Sequence, residues 1–182
     1  DMRYGDPTEG ARSFGEALGR EAAALVEAGA TWIHIEEPWI GHARAADGRA
    51  VRSALEAFLA GHRAKTMIHV PFGSPLAVFD AIRDLNWTAI GLDLVGAPAG
   101  WDVLPLVPKG RTVGLGLIDA RNTRLEAPGA VAAAVARARG LRPDLDFHLS
   151  PTASLEYLPA DTAEKKLERL VASAALALKG GA

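Results

Sequence analysis

The chain has 182 residues, of which 49% are apolar, and its 20 basic and 22 acidic side chains leave a formal net charge of -2. One domain with a single hydrophobic core is expected at this length, and the balanced charge argues against nucleic-acid and membrane partners. The absence of cysteine excludes disulfides, thiolate nucleophiles and thiolate metal ligands from this chain. No apolar run reaches the roughly 20 residues that span a bilayer. A cytoplasmic location is therefore expected.

The first predicted element is a helix. Asp6 offers an N-cap oxygen, Pro7 follows it, and Glu9 comes three residues after the cap, which is typical of a helix start. Apolar residues then recur at spacings of three and four, at Phe14, Leu18, Ala22, Leu25 and Val26. Gly29 predicts the end of this helix. The chain therefore opens on a helix that precedes its first strand.

Five apolar runs follow, and each ends on polar residues: TWIHIEEP, KTMIHVP, WTAIGLDLV, TVGLGLIDAR and DFHLSP. They predict strands over 32–36, 66–70, 88–94, 112–119 and 147–150. Helical segments follow at 51–59, 76–85, 101–106 and 131–139, and a capping box at 161–164 predicts the last helix. Apolar strands separated by helices indicate a parallel α/β sheet. The spacing fits an open doubly wound sheet or part of an eight-unit barrel, and the leading helix favours the barrel.

The polar strand ends predict one convergent site, because the carboxyl ends of parallel strands lie on the same side of a sheet or barrel. Its expected members are His34, Glu36, Glu37, His69, Asp93, Asp119 and Ser150. Side chains alternate along a strand, so at most one of Glu36 and Glu37 faces the barrel axis. His148 is expected to pack against a helix. Gly114 and Gly116 lie within a strand and predict close approach of backbone or substrate.

The motifs occur in the order IHIEEPWI, TMIHVPFG, IGLDLV, GLGLIDARNTRLE and FHLSPTASL, before an alanine-rich last helix. This order resembles the C-terminal barrel of cobalamin-independent methionine synthase over nearly the whole chain. The resemblance implies strands four to eight of a (β/α)8 barrel, with residues 1–182 as a single barrel portion. The first three strands would then come from an upstream segment or another chain, or be absent.

The family transfers a methyl group from a polyglutamylated methyltetrahydrofolate to homocysteine at a zinc ion. The resemblance therefore implies methyltetrahydrofolate as a co-substrate. Of the four zinc-ligand positions, His69 is retained and Asp93 replaces a glutamate, whereas Pro71 and Ala153 stand at the two cysteine positions. Proline and alanine have no side-chain ligand atom. The default expectation is that no metal is bound.

The alternative is a rebuilt divalent-metal site that joins His69 to Asp93, His34 or Glu36, and such nitrogen and oxygen ligands suit zinc, manganese or iron. The catalytic candidates are His69, Asp93 and Asp119, although the last of these could instead shape the turn after its strand. The substrate-binding candidates are His34, Glu36, Glu37, Trp39, Arg121 and Ser150. Glu36 is expected to bind a cationic group, and Trp39 either stacks on a flat ligand or packs in a lid.

The leading hypothesis is a methyltransferase-family enzyme with altered chemistry that acts on a small amino-acid-like or folate-like substrate. Two alternatives stay open. One is a metal-free lyase or decarboxylase, as in the related barrel of uroporphyrinogen decarboxylase. The other is a non-catalytic chain that completes a barrel with another polypeptide.

Overall fold

One sheet of five parallel strands organises the chain, and the computed structural model describes residues 5–179. The strands are β1 (Trp32–Glu36), β2 (Lys65–Val70), β3 (Ala89–Asp93), β4 (Thr112–Ile118) and β5 (Asp146–Pro151). All four neighbouring pairs are parallel. Each predicted strand is confirmed to within one residue at either end.

Strand order decides between the two architectures that the sequence left open. A doubly wound sheet reverses its order at a switch point, which places helices on both faces. Here the order β1-β2-β3-β4-β5 never reverses, so right-handed crossovers place the connecting helices on one face, as in a barrel. The fold is therefore the barrel type, and residues 5–179 supply five of its strands.

The helices that accompany the strands are α1 (Pro7–Glu27), α2 (Gly48–Ala60), α3 (Phe79–Ile82), α4 (Gly100–Val103), α5 (Pro128–Leu141) and α6 (Ala160–Lys179). Short 3-10 helices cover Pro38–His42, Ala45–Asp47, Pro75–Val78 and Leu104–Leu106. The helix predicted over 76–85 is shorter than expected, because its first residues form a 3-10 helix and α3 is a single turn. None of the helices within residues 5–179 is long and apolar enough to cross a membrane.

The sequence predicted where the two longest helices, α1 and α6, begin, and the structure confirms one of these two positions. Asp6 accepts a hydrogen bond from the backbone N–H of Thr8 at 2.8 Å and caps α1, as predicted, and Gly29 follows that helix with a φ of 105°. The prediction for α6 is wrong by two positions, because a cap at Asp161 would start the helix at Thr162. This helix begins at Ala160, so Asp161 lies in its first turn and contacts Lys165 at 3.4 Å instead of serving as the cap.

The two faces of the sheet differ in chemistry. The helix-covered face is apolar and fully or largely buried, with Ile33, Ile68, Ile90, Leu92, Val113 and Leu115 in the core. The opposite face is called the inner face below. Two of its rows run across the strands in register: Glu36, His69, Gly91, Gly114 and His148 form one, and Asp93, Gly116 and Ser150 form the next. The inner face therefore collects the polar residues.

Candidate functional site

The centre of the site is a cluster of three side chains on the inner face. His34 and Glu36 lie two residues apart on β1, so strand alternation directs both to the same side. Glu36 is the register partner of His69 on β2. One ligand atom from each of the three side chains lies within 4.8 Å of the others, and the two imidazole rings are stacked with centroids 5.8 Å apart. We call these residues the His34–Glu36–His69 cluster.

His69 is the buried member of the cluster. Only 2% of the residue is exposed, whereas His34 and Glu36 are exposed. Its Nε2 atom has no hydrogen-bond partner. Burial, reinforced by the nearby His34, lowers the pKa of His69 to about 4, although a backbone group of Thr152 acts in the opposite direction. The imidazole of His69 is therefore neutral at neutral pH.

Gly91 on β3 makes room for the ring of His69, and Gly114 on β4 makes room for the side chain of Met67. A Cβ atom at Gly91 would lie 2.8 Å from Cε of Met67 and 2.9 Å from Cγ of His69, closer than van der Waals contact allows. A Cβ at Gly114 would also meet the Met67 methyl group. The sequence predicted that backbone or substrate approaches Gly114, whereas the group nearest to this added Cβ is the Met67 side chain, with the Cα atom of Gly91 at 3.2 Å as the nearest backbone atom.

Asp93 lies at the end of β3 and is completely buried. Its Oδ1 atom accepts hydrogen bonds from the backbone N–H groups of Val95 at 3.1 Å and Gly96 at 2.6 Å, while Oδ2 has no partner. One oxygen thus holds the turn after β3, and the other is available. Among residues 5–179, the potential metal-ligand atoms that lie within 4.8 Å of one another belong to His34, Glu36 and His69, and Asp93 is not among them. Of the three partners expected for His69, His34 and Glu36 lie in the same cluster, whereas the pairing with Asp93, in the next row of the inner face, stays a prediction.

Ser150 is on the inner face in the same row as Asp93, and its hydroxyl oxygen also lacks a hydrogen-bond partner. The expectation for His148 on the same strand is wrong. It is exposed and pairs in register with Gly114, so it lies on the inner face and not against a helix. Phe147 and Leu149 pack against the core instead.

Asp119 shapes the turn after β4. Its Oδ1 atom accepts from the backbone N–H of Arg121 at 2.9 Å, and its Oδ2 atom accepts from Nδ2 of Asn122 at 2.6 Å. The guanidinium of Arg121 lies 3.3 Å from Asp119 Oδ1 and packs over Gly96, in the turn that follows the neighbouring β3. Both residues are therefore held at the strand ends, and the turn-forming interpretation of Asp119 fits its hydrogen bonds.

Glu37 and Trp39 lie away from the inner face. Oε1 of Glu37 accepts from the backbone N–H of Trp39 at 3.0 Å and caps the 3-10 helix Pro38–His42. Both side chains line a largely apolar groove of about 390 Å³ between α1 and α2, together with Phe14 and Val51. The prediction that only one of the two glutamates faces the axis is confirmed, and that glutamate is Glu36.

Lys166 on α6 is a residue that sequence reasoning missed. It is fully buried, and its Nζ atom donates to Oε1 of Glu126 at 3.0 Å and to the carbonyl oxygen of Arg124 at 2.6 Å. Glu126 in turn accepts from the backbone N–H of Asp119 at 2.9 Å. The loop between β4 and α5 is thus tied to the last helix. A lysine among exposed charges on a helix gives no sequence signal of burial.

The residues present do not fit the zinc site that the family resemblance implies. Pro71 and Ala153, which the resemblance sets at the two cysteine positions, are buried, and neither side chain carries a ligand atom. No cysteine elsewhere in the chain can replace them. Asp93 commits one oxygen to two backbone N–H groups. A thiolate-bound zinc ion therefore has no site built from this chain.

The sequential parallel sheet and the polar inner face define this chain as a protein of the β/α-barrel class. A family model described as the N-terminal domain of cobalamin-independent synthase matches residues 19–139. The chain belongs to the cobalamin-independent methionine synthase family. The motifs resembled the C-terminal barrel, whereas the matching model is that of the N-terminal domain. The family is confirmed, and the assignment to one of its domains stays a prediction.

Named relatives agree with this family. The methionine synthase of Sulfurisphaera tokodaii is 29% identical over 86% of this chain and 46% of its own length. The 5-methyltetrahydropteroyltriglutamate–homocysteine methyltransferase of Chelativorans sp. is 32% identical over 81% of this chain and 19% of its own length. A B12-independent methionine synthase from Shewanella sp., solved in complex with selenomethionine, shares the fold with a TM-score of 0.87.

That solved structure is 21% identical in sequence and aligns over 97% of this chain and 57% of its own chain. At this level of identity the likeness shows the fold alone. The chain spans about half or less of the length of the two methionine synthase relatives compared by sequence. The activity, substrates and partners of the complete relatives are therefore proposals for this chain.

Proposed function

We propose that this chain is part of a methyltransferase barrel that binds a small amino-acid-like substrate on its inner face, with Glu36 holding the substrate's ammonium group. The observation that supports this proposal is that the carboxylate of Glu36 is exposed and has no cationic partner within residues 5–179. It is exposed at the carboxyl end of β1, and none of the ion pairs among residues 5–179 includes it. A carboxylate and an ammonium group form a charge-assisted hydrogen bond.

The names of the relatives support an amino acid as one substrate. The Shewanella protein was solved with selenomethionine. The Chelativorans protein is named for homocysteine and for 5-methyltetrahydropteroyltriglutamate. By this analogy, the acceptor for the present chain is a homocysteine-like thiol and the methyl donor is a folate-like co-substrate.

Methyl transfer between these substrates breaks a bond from carbon to nitrogen and forms a bond from carbon to sulfur. The thiol loses its proton, and the donor nitrogen gains one. A free thiol has a pKa of about 8.5 and is mostly protonated at neutral pH, so a site without thiolate-bound zinc needs a base. Asp93 has an oxygen without a hydrogen-bond partner, and the neutral imidazole of His69 has a free Nε2. We assign Asp93 as the proton acceptor, and His69 can take this role only while no metal ion occupies its Nε2 atom.

We further propose that strands from an upstream segment or from another chain complete the barrel. β1 pairs with β2 alone and β5 with β4 alone within residues 5–179, so each has one edge without a neighbour. Exposed edge strands accept further strands. The added strands would enclose the inner face and exclude water from the bound substrate.

Substrate binding is tested by calorimetric titration of chelator-treated protein with methionine, homocysteine and methyltetrahydrofolate, each alone. Glu36→Gln is expected to weaken amino-acid binding about tenfold or more, because a hydrogen bond to a charged group contributes about 1.5–3 kcal/mol. Glu37→Gln is the matched control, since glutamine keeps the oxygen that accepts from Trp39, and it should stay within twofold of the parent. Equal affinities for the parent and Glu36→Gln would remove the basis of the proposal.

A further inference from the structure

Three potential metal ligands come together on the inner face without any contribution from the cysteine positions of the family site. Two come from β1, at His34 and Glu36, and the third comes from β2, at His69. Their convergence follows from the fold. Alternation places the β1 pair on one face, and the parallel register sets Glu36 beside His69.

His69 provides an independent sign of a ligand. Only 2% of this residue is exposed, yet its Nε2 atom has no hydrogen-bond partner. Buried polar atoms are nearly always paired, so an unpaired one calls for an explanation such as a bound ion. The other two side chains are exposed and so remain accessible to an ion from solvent.

We propose that the His34–Glu36–His69 cluster binds one divalent transition-metal ion through two imidazole nitrogens and one carboxylate oxygen. Two imidazoles and a carboxylate form the ligand set of several zinc enzymes and of non-haem iron enzymes, and it leaves positions open for a substrate. Imidazole ligands favour zinc or iron over magnesium and calcium, which take oxygen ligands. This site shares His69 with the family's zinc site, but its other ligands are different residues.

The observed spacing is close to what an ion requires. Ligand atoms held at about 2.1 Å from a zinc ion lie roughly 3–4 Å from one another. The three ligand atoms here lie within 4.8 Å of one another, so binding requires a contraction of about 1 Å. Rotation of the exposed side chains of His34 and Glu36 can supply it while the buried ring of His69 stays in place.

The metal site and the proposed substrate site can coexist. The carboxylate of Glu36 has two oxygens, so one can bind the ion while the other accepts from a substrate ammonium group. The metal site goes beyond the proposed function, because it does not require that any amino acid binds.

The test is titration of the chelator-treated protein with zinc ions alone by calorimetry, and with cobalt(II) ions alone by visible absorption. One ion per chain is expected, with a cobalt spectrum typical of mixed nitrogen and oxygen ligands. His34→Ala and Glu36→Gln should each weaken zinc binding at least tenfold. Both side chains are exposed, so these variants should fold even if a His69 variant does not.

Two controls match the cluster. Glu37→Gln changes the adjacent carboxylate, and His148→Ala removes an exposed histidine from the same row, three strands beyond β2. Both should bind zinc within twofold of the parent. Absence of saturable binding, or equal loss in His148→Ala and His34→Ala, would overturn the proposal.

The outcomes also separate this proposal from the substrate proposal. Zinc binding without amino-acid binding leaves the metal site intact and contradicts the substrate site. Amino-acid binding to chelator-treated protein that does not bind zinc supports the substrate site and contradicts the metal site. His34→Ala adds a further distinction, since it should weaken zinc binding and leave the ammonium contact of Glu36 in place.

Discussion

Lys166 and Glu126 form an ion pair of 3.0 Å in which the lysine is fully buried and the glutamate side chain is 18% exposed. The pair joins α6 to the loop that follows β4. Because Glu126 also accepts from the backbone N–H of Asp119, the pair fixes the point at which β4 ends. Lys166 on α6 therefore helps to position the carboxyl end of β4, which borders the inner face.

Replacement of this lysine should destabilise the fold. Lys166→Met removes the charge that compensates Glu126, and loss of one partner of a buried pair costs about 3 kcal/mol. The measurement is the free energy of unfolding in urea. Lys165→Met is the control, because Lys165 is exposed and its contact with Asp161 contributes little. Equal stability of the two variants would show that the buried pair does not hold the loop.

Gly91→Ala should disturb His69 directly. The added methyl group would lie within 3 Å of both Met67 and His69, so the ring must move. We expect a loss of about 1–3 kcal/mol in the free energy of unfolding from overpacking, and weaker zinc binding. Gly140→Ala in α5 has no atom near its new Cβ and should be neutral or stabilising by up to about 1 kcal/mol. Unchanged zinc affinity in Gly91→Ala would argue against His69 as a ligand.

The pair of Arg142 and Asp144 predicts a pH dependence of stability. Two hydrogen bonds from Arg142, each of 2.8 Å, lower the pKa of Asp144 from 3.8 to about 2. A carboxylate with a lowered pKa stabilises the fold fully above its unfolded pKa and loses that contribution as the pH falls through its folded pKa. Asp144→Asn should therefore be less stable than the parent at pH 7, and the difference should shrink below about pH 4.

Urea unfolding of both proteins at a series of pH values measures this difference. The same arginine donates to the carbonyl oxygens of Leu104 at 3.0 Å and Val107 at 2.7 Å, so loss of its orienting carboxylate should also loosen that segment. Asp102→Asn changes an exposed aspartate that has no ion pair within residues 5–179, and it should remain close to the parent. A constant gap between Asp144→Asn and the parent from pH 7 to pH 3 would contradict the assignment.

Barrel completion predicts a pattern of hydrogen exchange. In the 182-residue chain alone, the amide hydrogens of β1 and β5 that face away from the sheet should exchange quickly, whereas those of the central β3 should be protected. In a complete barrel, the outward amide hydrogens of β1 should become protected as well. Exchange followed by mass spectrometry measures both states. Protection of both edges in the chain as a monomer would contradict the proposal that further strands pair with them.

The sequence predicted the strands well, because each is a short apolar run that local chemistry ends at a polar residue. It left open which of Asp93, His34 and Glu36 meets His69. The grouping of His69 with His34 and Glu36 depends on the register between β1 and β2, and register is a tertiary property. The length of the helix over 76–85 was overestimated, because apolar spacing does not reveal that packing limits the α-helical part of this segment to one turn.

Gly91 and Gly114, which lie in the same row as His69, limit how such a site can change during evolution. Where Gly91 and Gly114 cross the inner face, the space above their backbone is filled by the Met67 methyl group and, at Gly91, by the ring of His69. A side chain at Gly91 would displace that ring, and one at Gly114 would displace the methyl group. Changes in ligand preference that keep His69 in place must therefore arise at β1, at the strand ends and in the loops beyond them.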